Sequence, residues 1–136
     1  MLDKLSILYV EDDIDTQELI KDILESYFKD VFIASDGMEG LLLYEKTKPD
    51  IVLSDISMPV MNGLDMSEAI KNIDSNQPIA LFTAFNEPEF LNRAAKLGID
   101  TYILKPLDEK QFFNSLSYMA MTLEWDYKQD ITKEKE

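Results

Sequence analysis

The sequence contains neither cysteine nor histidine. The lack of cysteine excludes disulfides, thiolate catalysis and Cys-based zinc sites in this chain. The lack of histidine excludes His-based catalytic triads, imidazole metal ligands and a phosphohistidine in this chain. Any chemistry that the chain carries must therefore use carboxylates, hydroxyls, Lys, Arg or the backbone.

Positive charge is scarce as well, with 13 Lys and Arg residues against 27 Asp and Glu residues, a formal net charge of −14. This balance argues against direct binding to nucleic acid or to an anionic membrane, because phosphate contacts need clustered Lys and Arg. No apolar run approaches the ~18 residues of a membrane span. The first such run stops at Glu11, too short for the core of a signal peptide. We therefore expect a soluble cytoplasmic protein.

Five short apolar runs alternate with amphipathic stretches along the 136 residues, a length that fits one domain. The runs predict strands at residues 5–10, 31–34, 51–53, 79–82 and Thr101–Leu104. Strands that are apolar on both faces and separated by helices indicate an α/β fold. We predict a doubly wound, five-stranded parallel sheet flanked by five helices.

Turn and cap residues give the predicted limits of the helices. Asp15 or Thr16 is a candidate N-cap for the first helix. Asp36-Gly37 is interpreted as a turn, and Pro88 suits the start of the fourth helix.

Polar side chains follow four of the five predicted strands. Glu11 and Asp12 come after the first strand, Asp55 after the third, Thr83 after the fourth and Lys105 after the fifth. Right-handed crossovers place all these strand ends along one edge, where ligands of open α/β sheets bind. Grouped carboxylates repel one another, and a hard divalent cation relieves that repulsion. With a lysine and a hydroxyl nearby, the set predicts phosphoryl transfer onto an aspartyl carboxylate.

Each of these residues also has an ordinary structural explanation when it is taken singly. Acidic residues after a strand are usually solvated or cap a helix, threonine at a strand end is usually structural, and Lys-Pro usually marks a turn. The functional prediction therefore depends on the combination of four strand ends that indicate one chemistry.

Four stretches of the sequence carry a resemblance to a known family. They are residues 7–13 (ILYVEDD), 50–59 (DIVLSDISMP), 81–84 (LFTA) and 102–106 (YILKP). Together and in this order they resemble the receiver domain of two-component response regulators, over nearly the whole chain. The resemblance implies a flavodoxin-like (βα)5 fold. It also implies a signalling switch rather than an enzyme, one that catalyses only its own phosphotransfer and autodephosphorylation.

The resemblance implies a role for each acidic residue of the site. Glu11 and Asp12 would form the acidic pair that holds Mg²⁺ (or Mn²⁺), and Asp55 would be both a metal ligand and the phosphoacceptor. Ser57 would lend its backbone carbonyl to the metal. Ser57 and Phe85 would also influence the rate of autodephosphorylation.

The same resemblance implies roles on the phosphoryl side of the site. Thr83 and Lys105 would contact the phosphoryl oxygens, and the Lys105-Pro106 bond would be cis, which is accessible to X-Pro bonds. Tyr102 occupies the position of the family's switch aromatic, which would turn inward when the threonine hydroxyl moves toward the phosphate.

The implied partners are a sensor histidine kinase or phosphotransfer protein, because the donor histidine must lie outside this chain. Helix four, strand five and helix five would form the face that controls an output domain or a downstream protein, and a phosphorylation-dependent homodimer is a hypothesis. We assign residues 1–123 to the receiver domain and 124–136 to a charged helix extension or the start of a linker.

Three other functions are alternatives to the receiver-domain prediction. An aspartyl-phosphate phosphohydrolase would need Asp-x-Asp after the first strand, whereas Asp55-Ile56-Ser57 follows the third. A flavodoxin-like cofactor binder would need a Gly-rich or hydroxyl-rich loop where three acids stand. A receiver-like interaction module that is never phosphorylated is the remaining alternative, although the full set of site residues argues against it.

Overall fold

The computed structural model describes residues 1–84 and 86–135, with side chains described up to residue 123. Its strands are β1 (Ser6–Val10), β2 (Asp30–Ala34), β3 (Ile51–Ser54), β4 (Ile79–Thr83) and β5 (Thr101–Leu104). Its helices are α1 (Ile14–Tyr27), α2 (Gly37–Thr47), α3 (Gly63–Ile73), α4 (Pro88–Lys96) and α5 (Glu109–Lys135), and a 3₁₀ turn (Leu2–Lys4) precedes β1.

The strands form one parallel sheet in the order β2-β1-β3-β4-β5, as the predicted fold requires. All five predicted strands are confirmed, and no boundary differs by more than one residue. The three central strands are buried at nearly every position, whereas β2 and β5 at the edges are partly exposed. Burial on both faces explains why the central strands are continuous apolar runs.

The helices cover the sheet in two layers. Side chains of β1 alternate between them, so that Ile7 and Tyr9 enter one layer and Leu8 and Val10 enter the other. The first, called here the α1/α5 layer, is completed by buried residues of those helices: Ile20, Leu24, Phe112 and Leu116. The second, the α2–α4 layer, is completed by Tyr44, Leu64, Met66, Ile70 and Ala94.

The start of α1 differs from the prediction. Its N-cap is Asp13, not Asp15 or Thr16, and Asp13 Oδ2 accepts hydrogen bonds from the backbone N–H of Thr16 at 2.9 Å and from its hydroxyl at 2.6 Å. The prediction was wrong because the helix begins sooner after β1 than the apolar periodicity indicated. Thr16 is therefore a donor to the cap and not the cap itself.

Asp36 and Gly37 start a helix and do not form a separate turn. Asp36 is the N-cap of α2 and accepts from the backbone N–H of Glu39 at 2.8 Å. Gly37 is the first helical residue, and a Cβ there would overlap the backbone carbonyl of Met61. Pro88 begins α4 as predicted.

The long helix α5 bears on the predicted domain boundary. It continues to Lys135, past residue 123, but the side chains from 124 onward and the whole of Glu136 lie outside the described residues. The assignment of 124–136 to an extension or linker therefore stays a prediction. Within the part of the chain that was described, no helix is both long and apolar enough to cross a membrane.

Candidate functional site

The backbone carries the predicted site residues to one edge of the sheet. The N–H of Asp55 donates to the carbonyl of Val10 at 3.1 Å, and the N–H of Lys105 donates to the carbonyl of Thr83 at 2.9 Å. On the other side of β1, the N–H of Glu11 donates to the end of β2 at 3.0 Å. These bonds continue the sheet ladder by one residue, so the side chains that follow β1, β3 and β5 are held along the same edge of the sheet.

Lys105 joins the two buried acids of the site. Its Nζ lies 2.7 Å from Oε1 of Glu11 and 2.9 Å from Oδ2 of Asp55. The lysine side chain is 20% exposed, against 1% for Glu11 and 10% for Asp55. The same Nζ lies 5.5 Å from the centre of the Phe82 ring. A cation is thus fixed between two carboxylates that have little access to water.

Burial and charge act in opposite directions on these groups. Burial raises the pKa of Glu11, and the hydrogen bond from Lys105 only partly offsets that rise. Burial also disfavours the charged form of Lys105, but its hydrogen bonds to Asp55 and Glu11 outweigh this effect and raise the pKa of the ammonium group. Lys105 therefore stays charged at neutral pH.

Two further donors approach Glu11. The hydroxyl of Tyr9 donates to Oε1 at 3.2 Å, and the backbone N–H of Asp13 donates to Oε2 at 3.3 Å. Tyr9 is fully buried, and its pKa is raised by burial and then by the charge of Glu11. The sequence analysis missed this contact, although strand alternation already places residues 9 and 11 on the same face.

Three carboxylates converge beside Lys105. One oxygen each from Glu11, Asp12 and Asp55 lies within 4.8 Å of the other two, with Asp12 exposed and the other two buried. A set of oxygen donors at this spacing, open to water on one side, fits a hard divalent cation such as Mg²⁺. The donor chemistry therefore agrees with the predicted metal.

The loop that follows Asp55 folds back on it. The backbone N–H of Ile56 donates to Asp55 Oδ1 at 2.6 Å, and the Ser54 hydroxyl donates to the Asp55 carbonyl at 2.7 Å. Gly63 then returns to donate its N–H to the Ile56 carbonyl at 2.8 Å. A Cβ on Gly63 would overlap the Asp55 carbonyl oxygen. Glycine at this position thus permits the close packing that fixes the orientation of Asp55.

Comparison with known proteins agrees with this geometry. The family model of the response regulator receiver domain matches residues 7–117. The chemotaxis protein CheY of Halobacterium salinarum is 32% identical over 111 residues, which cover 82% of this chain and 92% of that protein. The chain belongs to the receiver domain family.

Solved receiver-like structures share the fold. A CheY-like receiver domain protein from Methanospirillum hungatei superposes with a TM-score of 0.86 at 26% identity, covering 90% of this chain and 98% of that one. A chain of the CheX-CheY-BeF3-Mg complex from Borrelia burgdorferi gives a TM-score of 0.78 at 28% identity, covering 82% and 86% respectively. Receiver domains are signalling switches of two-component systems that bind Mg²⁺ in an acidic pocket and interact with histidine kinases or phosphotransfer proteins.

The structure also places the other predicted residues of this receiver domain. Ser57 is exposed in the loop after β3, and Thr83 is fully buried at the end of β4. Tyr102 is partly buried against the α2–α4 layer, and its pKa is raised by burial and then by the charges of Glu87 and Asp55. The predicted cis bond between Lys105 and Pro106 is present. Residue 85 lies outside the described part, so its effect on dephosphorylation stays a prediction.

Proposed function

We propose that this receiver domain is a phosphorylation-dependent switch that accepts a phosphoryl group on Asp55 from a histidine kinase or phosphotransfer protein, with Mg²⁺ bound. The observation that best supports this proposal is the position of Lys105 Nζ between Glu11 and Asp55, two of the three carboxylates that converge there. The related CheY from Borrelia burgdorferi, whose complex holds BeF3 and Mg, gives further support.

In the transfer step, one carboxylate oxygen of Asp55 attacks the phosphorus of the donor phosphohistidine. A P–O bond forms as the P–N bond breaks, and the electron pair returns to the imidazole nitrogen, which takes a proton from solvent. Glu11, Asp12, Asp55 and the carbonyl of Ser57 would hold Mg²⁺, which when bound neutralises charge on the transferred group. Ile56 N–H, 2.6 Å from Asp55 Oδ1, keeps the carboxylate oriented for the attack.

Lys105 and Thr83 would contact the phosphoryl oxygens after transfer. A phosphorylated Asp55 has three new acceptor oxygens and a larger negative charge than the carboxylate it replaces. Lys105, already 2.9 Å from the Asp55 side chain, is within reach of that group, and Thr83 ends the neighbouring strand. New contacts of this kind exist in one state only, so they bias a two-state loop.

The response would reach the face formed by α4, β5 and α5. Helix α4, which the structure describes in full, buries Ala94 and only partly buries Phe90. A helix with so few buried side chains is a suitable moving part. Tyr102 on β5 would act as the switch aromatic next to it. This face would control an output domain or partner protein or form a phosphorylation-dependent homodimer, with residues 1–123 as the receiver domain.

The test is intact-mass spectrometry after incubation with acetyl phosphate and Mg²⁺. We expect one added phosphoryl group, which is lost in Asp55→Asn and in excess chelator. Asp50→Asn is the matched control, because Asp50 lies at the opposite end of β3 and binds the backbone of Ser6 at 2.8 Å; it should keep the adduct. If the protein binds neither Mg²⁺ nor beryllofluoride and gains no adduct, the phosphorylation-independent interaction module is the better description.

A further inference from the structure

The Oε1 atom of Glu11 has two donors of unequal strength. Lys105 Nζ approaches it at 2.7 Å and the Tyr9 hydroxyl at 3.2 Å. Hydroxyl hydrogen bonds in proteins usually span about 2.5–3.0 Å, so the phenol is the weaker donor while the lysine is in place. The Tyr9 ring is fully buried in the α1/α5 layer, so its hydroxyl cannot swing away from the acid.

We propose that Tyr9 is a positioning residue that holds the carboxylate of Glu11 in place when Lys105 turns from it to the phosphoryl group. This inference rests on the proposed function, because it needs a phosphorylated or phosphate-mimic state. Neither the family match nor the site residues predicted from the sequence include a role for Tyr9.

Phosphorylation would change the hydrogen bonds that Oε1 of Glu11 accepts. In the resting site Lys105 is shared between Glu11 and Asp55. Once a phosphoryl group attracts the ammonium, Oε1 loses its stronger donor, and the buried carboxylate that would also hold Mg²⁺ depends on its remaining donors for its orientation. Tyr9 is the donor already in place, and its bond shortens as the competing ammonium withdraws. Asp13 N–H, 3.3 Å from Oε2, acts on the other oxygen and cannot replace it.

The variant Tyr9→Phe removes only the hydroxyl and keeps the ring that packs in the apolar layer. In the resting site Lys105 still holds Glu11, so we expect Mg²⁺ affinity to fall by no more than about 3-fold, the loss of one weak hydrogen bond. In saturating Mg²⁺, beryllofluoride affinity should fall by about 10-fold or more, as when an outer partner of a metal ligand is removed.

Tyr44→Phe is the matched control. Tyr44 is also buried and donates to Gln77 Oε1 at 3.2 Å, but it lies in the α2–α4 layer and has Gln77, not Glu11, as its partner. Calorimetric titration with Mg²⁺, and then with beryllofluoride in saturating Mg²⁺, should therefore give wild-type affinities for this variant. Far-UV circular dichroism establishes that each variant is folded before it is titrated.

The same Tyr9→Phe change in a protein that lacks Lys105 measures the contribution of the hydroxyl by itself. In Lys105→Met, Tyr9 is left as the side-chain donor to Oε1 even without a phosphoryl group, so adding Tyr9→Phe should now lower Mg²⁺ affinity by about 10-fold. Equal losses in the two backgrounds, or a Tyr9→Phe protein that binds beryllofluoride like Tyr44→Phe, would overturn the inference while leaving the proposed function standing. A wild-type protein that binds neither Mg²⁺ nor beryllofluoride would overturn both.

Discussion

Removing the lysine from the acidic cluster tests the electrostatic account of the site. Lys105→Met keeps an unbranched side chain of similar length beside Phe82 but removes the ammonium group. Glu11 and Asp55 then lose the donor that lies 2.7 and 2.9 Å from them. We expect the folded state to be less stable in chelator and to regain stability when Mg²⁺ is added.

The size of the effect follows from the two contacts. Each hydrogen bond to a charged group contributes about 1.5–3 kcal/mol to stability. Burial of the ammonium opposes this gain, and the side chain is 20% exposed, which weakens both bonds through solvent screening. We therefore expect a net loss of about 2 kcal/mol in the free energy of unfolding, below the ~3–5 kcal/mol of a fully buried broken pair.

Urea unfolding followed by far-UV circular dichroism measures this loss in chelator and in Mg²⁺. A ligand at ten times its Kd stabilises the fold by about 1.4 kcal/mol. At one Mg²⁺ concentration, the gain in unfolding free energy should be larger for Lys105→Met than for wild type, because the metal no longer competes with the ammonium. Lys21→Met is the control, since Lys21 is exposed and 3.7 Å from Glu25; it should change stability by less than about 0.5 kcal/mol. An unchanged midpoint for Lys105→Met in chelator, or equal stabilisation of both proteins by Mg²⁺, would refute the reasoning.

Three further variants test other parts of the structure. Burial raises the pKa of Glu11 above its unfolded value, so its contribution to stability is present at low pH and is lost as pH rises through the folded pKa. Glu11→Gln should therefore resist urea better than wild type at neutral pH in chelator, with the difference closing toward pH ~4; a constant difference would contradict this. Gly63→Ala places a methyl group against the Asp55 carbonyl, so the free energy of unfolding measured in thermal melts should fall by about 1–3 kcal/mol. Mass spectrometry should also show less phosphoryl adduct, and wild-type values in both measurements would contradict the packing explanation. Asn62→Ala removes the cap on the Asp65 N–H at 2.8 Å and should cost about 1 kcal/mol, whereas Asn62→Ser should retain most of it in the same melts.

The strands and the gathering of Glu11, Asp12, Asp55 and Lys105 at one edge could be predicted because both depend on short-range patterns. Burial on two faces produces continuous apolar runs, and a parallel sheet brings their carboxyl ends to one edge. That rule brings Glu11 and Lys105 to the same edge of the sheet although 94 positions separate them, and the structure shows that they are in contact. The roles of Ser57 and Thr83 need atomic detail of a phosphorylated state, and they stay predictions.

The contacts around Glu11 could not be predicted in the same way. Tyr9 fits the pattern of a buried strand, and only tertiary packing decides whether its hydroxyl reaches an acid or faces apolar side chains. The N-cap of α1 could not be predicted for a related reason. Asp13, Asp15 and Thr16 all have side chains that can cap a helix, and the choice depends on where the chain leaves β1.

The order of the site residues along the chain has a consequence for folding. The acids follow the first and third strands, whereas Lys105 follows the last strand, 50 residues after Asp55. Because chains emerge amino end first during synthesis, a nascent sheet that lacks β5 has Glu11 and Asp55 at neighbouring strand ends without their ammonium. Repulsion between the two acids would disfavour that four-stranded form, and docking of β5 would bring the ammonium that relieves the repulsion. The charges that we propose for metal binding and phosphoryl transfer would thus also favour the complete sheet over its partly assembled precursors.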